Sequence, residues 1–347
     1  MPVFNDPRAY ANYIKRIKFR DVTRPDAADM AHRKKFMAAH YKFEMSDNYN
    51  AEDTRYQRVI DEIIVEFKGQ LNEVYRKVFD EHFHFTTLET TTVNAEISVY
   101  KPKAFYAVFI NTTLIDLLTK MGKLSAIKSN PEALKFCNRY PGRKPNAGEI
   151  KAMRDEYIAA FSQTKRADGP FIVLEESYAV AHFEMLNVQE RFIIFHEIGH
   201  FLNGDLMEIS GLRPSDMIFL NEPNPKHRKE YFADLMAFLL VLKTERQPVS
   251  PERKFFLLTT MITLFDTFYL FDNKENVSHP DAIKRLFCLS DYFYGVRFTE
   301  LIHQSYEDST AMIKAMSILD QMKSSEDMIT QLHDKAMEAI TGWLLQK

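Results

Sequence analysis

Apolar positions recur along this chain with two different periods, and the change of period marks out its elements. Tyr10, Tyr13, Ile14 and Ile17 share a helical face near the start, and residues 21–29 around Pro25 read as a loop. Tyr56, Ile60, Ile63, Phe67, Leu71, Val74 and Val78 step by three or four, which predicts one amphipathic helix ending near Phe79. The period then drops to two. His82-Phe83-His84-Phe85 alternates as a strand with both histidines on one face; a second metal site there competes with a solvated strand face, which is preferred because no third ligand lies near in sequence. Residues 93–99 and 105–110 read as two strands joined by a turn at Pro102. Such a two-strand ribbon offers an edge that can pair with an extended peptide backbone. Thr112 or Thr113 is the expected cap of a helix whose core face is Leu114, Ile115, Leu117 and Leu118.

Turn signals then dominate. Asn130-Pro131, Tyr140-Pro141-Gly142, Lys144-Pro145-Asn146 and Asp168-Gly169-Pro170 punctuate an excursion, with a helix expected over about 148–161 and a short strand at 171–174. The excursion reads either as a lid or specificity element or as a surface elaboration. Helical periods return at 190–202, 226–246 and 251–271, another helix starts near 276–280, and two more are expected over 310–322 and 326–345. The reading is a mainly helical region over 1–90, a catalytic core over 91–290 with an insertion at about 119–188, and a helical segment over 291–347.

Composition narrows the class. A chain of 347 residues with 46% apolar and 27% charged residues is long enough for a sizeable core and has a globular balance. The net charge of −3 provides no basic field for nucleic acid. Two distant cysteines, Cys137 and Cys288, without metal spacing, and an N-terminus without a signal-peptide pattern, lead to the expectation of a cytoplasmic protein. The most apolar stretch, 255–271, contains several threonines and Asp266 and is expected to be a buried core helix rather than a membrane span.

The chemistry centres on Phe195-His196-Glu197-Ile198-Gly199-His200-Phe201. Residues four apart share a helix face, so His196 and His200 can direct two imidazoles at one ion. Glu197 stays off the metal and can act as general base toward a water on it. A third ligand is needed. Asn203 and Leu206 stand where the extended H-E-x-x-H-x-x-G-x-x-H signature needs glycine and histidine, so that class is excluded. Glu230 and Asp234 lie four apart on an otherwise apolar helix, where buried carboxylates are costly unless received by a cation or donor. Glu230 would ligate one zinc ion per chain, and Asp234 would accept the second ring N–H of a ligand histidine. The competing reading is a wet helix face, and the alternative ligands are Asp205, Glu208 and Glu222.

His196-Glu197-x-x-His200 followed by Glu230-x-x-x-Asp234 is the gluzincin pattern. Asn94-Ala95, Thr112-Thr113-Leu114-Ile115-Asp116-Leu117-Leu118, Glu230-Tyr231-Phe232-Ala233-Asp234 and Ser278-His279-Pro280 with Arg285 together resemble the CaaX-prenyl-protease-like and HtpX-like peptidases. The resemblance covers about residues 93–118 and 190–287. It implies an α+β, mostly helical fold, a zincin-like core with a small sheet and edge strand over the zinc helix. It also implies that Asn94 holds substrate backbone, that His279 steadies the oxyanion and that Arg285 orients acidic groups. The chain departs from that family in lacking clear membrane helices and in its longer gap before the zinc helix, so membrane location and lipidated substrates do not carry over.

The expected function is a zinc endopeptidase acting on a protein or peptide substrate, narrow in specificity, with a Lit-like bacterial defence or toxin protease as its narrower form. A non-catalytic zincin-fold adaptor is the alternative, against which the intact Glu197 argues; a hydrolase of non-peptide amides has the same ligands. The sequence does not determine oligomeric state.

Overall fold

A computed structural model describes residues 2–18, 55–206, 214–245, 249–271, 279–305, 311, 314–315 and 326–344. Helix α1 (Pro7–Lys18) opens with proline at its first position and closes with Lys15, Arg16 and Lys18, in keeping with the helix dipole. Its buried face is Pro7, Tyr10 and Ala11, while Tyr13 and Ile17 are exposed, so the expected stripe is rotated. The single helix expected through Phe79 is two: α2 (Arg55–Gln70) and α3 (Glu73–His82). Asn72 makes the break, its side chain accepting the Tyr75 N–H at 2.9 Å and so capping a new helix in mid-pattern.

Three strands follow: β1 (Phe83–Leu88), β2 (Ala95–Tyr100) and β3 (Phe105–Asn111), in the order β1-β3-β2. The two-strand ribbon is thus a three-stranded sheet in which β1 pairs parallel with β3 and β2 pairs antiparallel. His82 belongs to the end of α3, where its Nδ1 meets the Ala104 carbonyl at 3.1 Å, so His82 and His84 do not form one strand face. Every residue of β3 is buried because both faces of the sheet are covered. Phe105, Ala107 and Phe109 pack under α1 with Tyr10, whereas Tyr106, Val108 and Ile110 enter the main core.

β3 passes directly into α4 (Thr112–Ser129). Neither threonine caps it through its side chain; Thr113 instead donates to the Thr90 carbonyl at 2.8 Å, tying down the β1–β2 connection. Next come β4 (Leu134–Cys137), α5 (Ala147–Thr164, with an Asn146/Glu149 capping box) and β5 (Ile172–Leu174), which pairs antiparallel with β4. They close a small core of their own around Leu124, Ile127, Met153 and Tyr157.

The remaining helices are α6 (Glu176–Leu202), α7 (Pro214–Ile218), α8 (Pro225–Thr244), α9 (Pro251–Phe271), α10 (Ala282–Tyr294), α11 (Val296–Ser305) and α12 (Glu326–Leu344). The protein is mostly helical with a small sheet, as expected for an α+β chain of this kind. α6 starts well before residue 188, the expected end of the insertion. α6 and α8 form the central pair, and α8 is buried on all sides from Glu230 to Leu242. α9 is long and apolar enough to cross a membrane by length and composition; in this structure its Leu257, Leu258, Met261, Leu264 and Phe265 are buried in the main core. The loop at 21–29, residues 276–278 and most of the helix expected over 310–322 lie outside the described residues.

Candidate metal centre

The site exists because α6 and α8 approach closely. Gly199 removes the side chain at the crossing and Ala233 supplies the smallest one opposite: a Cβ on Gly199 would lie 2.7 Å from the Ala233 Cα. His196 and His200 flank Gly199 on one helix, and Glu230 and Asp234 flank Ala233 on the other. The crossing therefore brings all four side chains to one place.

There the two imidazole Nε2 atoms are 3.1 Å apart, the His196 Nε2 is 3.5 Å from one Glu230 oxygen, and the His200 Nε2 is 3.4 Å from the other. One ligand atom from each residue fits within 4.8 Å. A tetrahedral site with zinc–nitrogen and zinc–oxygen bonds of about 2.0–2.1 Å has edges of about 3.3 Å, so this N₂O donor set fits zinc. Both Nδ1 atoms are already engaged. His196 Nδ1 meets Asp234 Oδ1 at 2.9 Å, and His200 Nδ1 meets Asp205 Oδ2 at 2.9 Å. That leaves the Nε2 lone pairs converging on one spot.

The electrostatics point the same way. Burial pushes the Glu230 carboxyl up, yet the charge and hydrogen bonds of His200 and His196 outweigh it and hold the group well below the ordinary range. Burial disfavours charge on His200, but Glu230 and the bond to Asp205 hold its imidazole well above its ordinary value. Asp234 is likewise lowered: burial opposes its charge, and Arg285 followed by His196 overcomes that. The surroundings favour a cation at this spot, whether proton or metal.

A cleft of about 400 Å³ opens over these groups. Glu197 lines it, and its carboxylate makes no hydrogen bond or ion pair among the described residues. Burial, opposed by the two histidines, raises its pKa. Arg285 holds Asp234 with two hydrogen bonds, Nε to Oδ2 at 2.8 Å and Nη2 to Oδ1 at 2.7 Å. His279 sits half-exposed at the rim, its Nε2 3.7 Å from Glu230 Oε1. Asn94 lines the opposite wall with Ala95, Glu96 and Ile97, and its side-chain oxygen accepts from the Asn111 amide.

β2 has no second strand partner among the described residues and flanks the cleft. The Asn111 N–H donates to the Asn94 carbonyl at 3.3 Å, and residue 94 is in register with 111 as 95 is with 110. By strand parity Glu96 and Ser98 also bond inward to β3, so Ala95, Ile97 and Val99 turn their N–H and C=O groups outward along the open edge.

The structure thus gathers His196, Glu197, His200, Glu230, His279, Arg285 and Asn94 around one cleft, with Asp234 directly behind. Of the alternative ligands, Asp205 sits on the Nδ1 side of His200, Glu222 accepts the Asn224 N–H at 2.9 Å, and Glu208 lies outside the described residues. Sequence reasoning missed three features: the Gly199–Ala233 crossing, Asp205 as a histidine partner, and Lys229, whose Nζ is 2.9 Å from Asp205 Oδ1. The small residue in Glu230-x-x-Ala233-Asp234 was the available signal for the first. None of the residues of the 119–188 excursion lines this cleft. No protein-family model, curated protein or solved structure matches the chain, so the chemistry of these side chains carries the reading.

Proposed function

We propose that this chain is a zinc endopeptidase of the gluzincin type, resembling the CaaX-prenyl-protease-like and HtpX-like peptidases, and acting inside the cell on a narrow set of protein substrates. The observation that carries this is the convergence of His196, His200 and Glu230 beside a Glu197 carboxylate without a hydrogen bond and a β2 edge without a second strand among the described residues. In this reading the sheet, α6 and α8 form a zincin-like core.

His196, His200 and Glu230 hold the ion. When bound, zinc polarises a carbonyl and lowers the pKa of water. The outward N–H and C=O groups of Ala95 and Ile97 receive an extended substrate, and Asn94 adds a side-chain amide to its backbone. Glu197 takes the proton of the attacking water and delivers it to the leaving amine; a pKa raised by burial suits a group that must both accept and release it. His279 donates to the oxygen on which negative charge develops, a contribution worth about 2.7–4 kcal/mol for a well-placed donor. Arg285 keeps Asp234 ionised and oriented behind His196.

The test compares new protein N-termini in cells expressing wild type with those expressing Glu197→Gln, alongside zinc content of both purified proteins. Cleavage by wild type alone, with about one zinc per chain in each, is the expected result. Equal cleavage by both would end the water-activation mechanism. Absence of cleavage by either, with both capturing one common partner, would make the chain a zincin-fold adaptor.

A further inference from the structure

His196 and His200 are held by two arrangements of the same design. Behind His196 stands Asp234, and behind Asp234 stands Arg285, a cation from another helix. Behind His200 stands Asp205, and Asp205 in turn meets Lys229 from α8. The geometry points to Asp205 and Lys229 as the positioning residues of His200, the counterpart of Asp234 and Arg285 for His196. This assignment rests on the metal-centre reading and deepens it.

Both oxygens of Asp205 are engaged by groups that fix its direction. Its Oδ2 takes the His200 Nδ1 at 2.9 Å, while its Oδ1 takes both the Asn203 amide at 2.9 Å and the Lys229 ammonium at 2.9 Å. Asn203 is fully buried and is itself anchored, its side-chain oxygen accepting the Ser215 N–H at 3.0 Å. The Asp205 side chain is only 8% exposed. A carboxylate so buried is costly alone, and three donors, two from the end of α6 and one from α8, offset that cost while holding it in one orientation. Two of those donors hold the carboxylate; the third is the metal-ligand histidine.

Two consequences follow. The bond to Asp205 places a proton on His200 Nδ1, keeping Nε2 as the lone pair that faces His196 and Glu230, and the carboxylate makes that nitrogen more basic. Lys229 also immediately precedes Glu230, so its pair with Asp205 ties the chain just beyond His200 to the turn that carries the third ligand. The same contact that orients one ligand thereby limits how far the other can retreat. The two arrangements are unlike in exposure: Asp234 and Arg285 are 1% and 11% exposed, and Lys229 is 29% exposed. Removing Lys229 therefore has the smaller effect, because water can take its place.

The test measures zinc affinity by chelator competition for wild type, Asp205→Ala, Asp205→Asn, Lys229→Met and, as reference, Glu230→Ala. Thermal melts of the metal-free proteins and visible spectra of the cobalt-substituted ones accompany it. Loss of an outer partner of this kind costs about 10–100-fold in affinity, so Asp205→Ala should fall in that range with an altered cobalt spectrum. Asp205→Asn keeps the shape and an acceptor but not the charge; a merely structural Asp205 predicts wild-type affinity for it, whereas the positioning role predicts an intermediate loss. Lys229→Met should show a smaller loss in the same direction, and decides the matter should Asp205→Ala fail to fold. Wild-type affinity and spectra in all three variants, with zinc lost only in Glu230→Ala, would overturn this assignment and leave the metal centre standing. Absence of zinc from wild type itself would overturn both.

Discussion

The Cα of Ala233 occupies the space that any side chain on Gly199 would need. A Cβ there would come within 2.7 Å of that atom and 2.8 Å of the Ala233 carbonyl oxygen, and backbone cannot swing aside. Gly199→Ala should therefore force α6 and α8 apart. Overpacking of this kind costs about 1–3 kcal/mol, seen as a lowered melting temperature. Zinc affinity should fall with it, although no ligand is altered, because Glu230 moves with α8. Wild-type stability and metal binding in this variant would show that the crossing does not set the ligand spacing.

Glu230 and Asp234 separate by role. Glu230→Ala removes a ligand and should abolish most zinc uptake. Asp234→Ala leaves the ligand set intact, removes the partner of His196 and leaves Arg285 its longer contact to Glu230 at 3.8 Å, and should weaken zinc about 10–100-fold. Chelator competition on the two proteins distinguishes them; equal affinity of Asp234→Ala and wild type would contradict the orienting role.

Ile97 turns its N–H toward the open edge of β2, so proline there removes a donor without breaking the β2–β3 ladder. Zinc content should be unchanged in Ile97→Pro. One backbone hydrogen bond is worth about 0.5–1.5 kcal/mol net, so kcat/KM toward a cleaved peptide should fall about 2- to 12-fold beyond the effect of Ile97→Ala. No difference between the two variants would mean that substrate does not pair with this edge.

Glu190 is buried in α6, six residues before His196, and burial pushes its pKa up to about 8. An unfolded glutamate titrates near 4.3, so between about pH 4.3 and 8 the native protein holds a proton that the unfolded chain has released. Its stabilising effect is full below that window and is lost as pH rises through it, with a slope of at most about 1.4 kcal/mol per pH unit. Denaturant titrations at pH 5 and pH 8 should show the stability advantage of Glu190→Gln over wild type growing markedly from the lower pH to the higher. A parallel pH dependence in both proteins would place the titrating group elsewhere.

Much of the local architecture was legible because it depends on nearest neighbours in the chain. The apolar periods located the first part of α4, the second half of α6, and α8 and α9, and the burial of 105–110 on both faces explains why that run reads as continuously apolar rather than alternating. Failures occurred where one polar side chain acts against a pattern. Asn72 splits a seemingly continuous helix in two, and Asn111 uses its amide to hold Thr92 and Asn94 across the end of β3. The four residues of β4 form a strand only because β5, far along the chain, pairs with them.

By itself the sequence determined which residues are equipped for metal chemistry. Helical geometry alone puts His196 and His200 on one face, and two carboxylates four apart on an apolar helix demand partners, because ions are costly to bury. Which partners they meet is a matter of tertiary structure. Helix periodicity specifies a face but neither the crossing point nor the depth of approach, and here a glycine against an alanine sets both. Asp205, five residues beyond His200, offered no period to read; only the fold brings Lys229 to its other oxygen. The open edge of β2 has the same origin, since a strand's own residues determine its pleat while its neighbours decide which backbone groups remain unpaired.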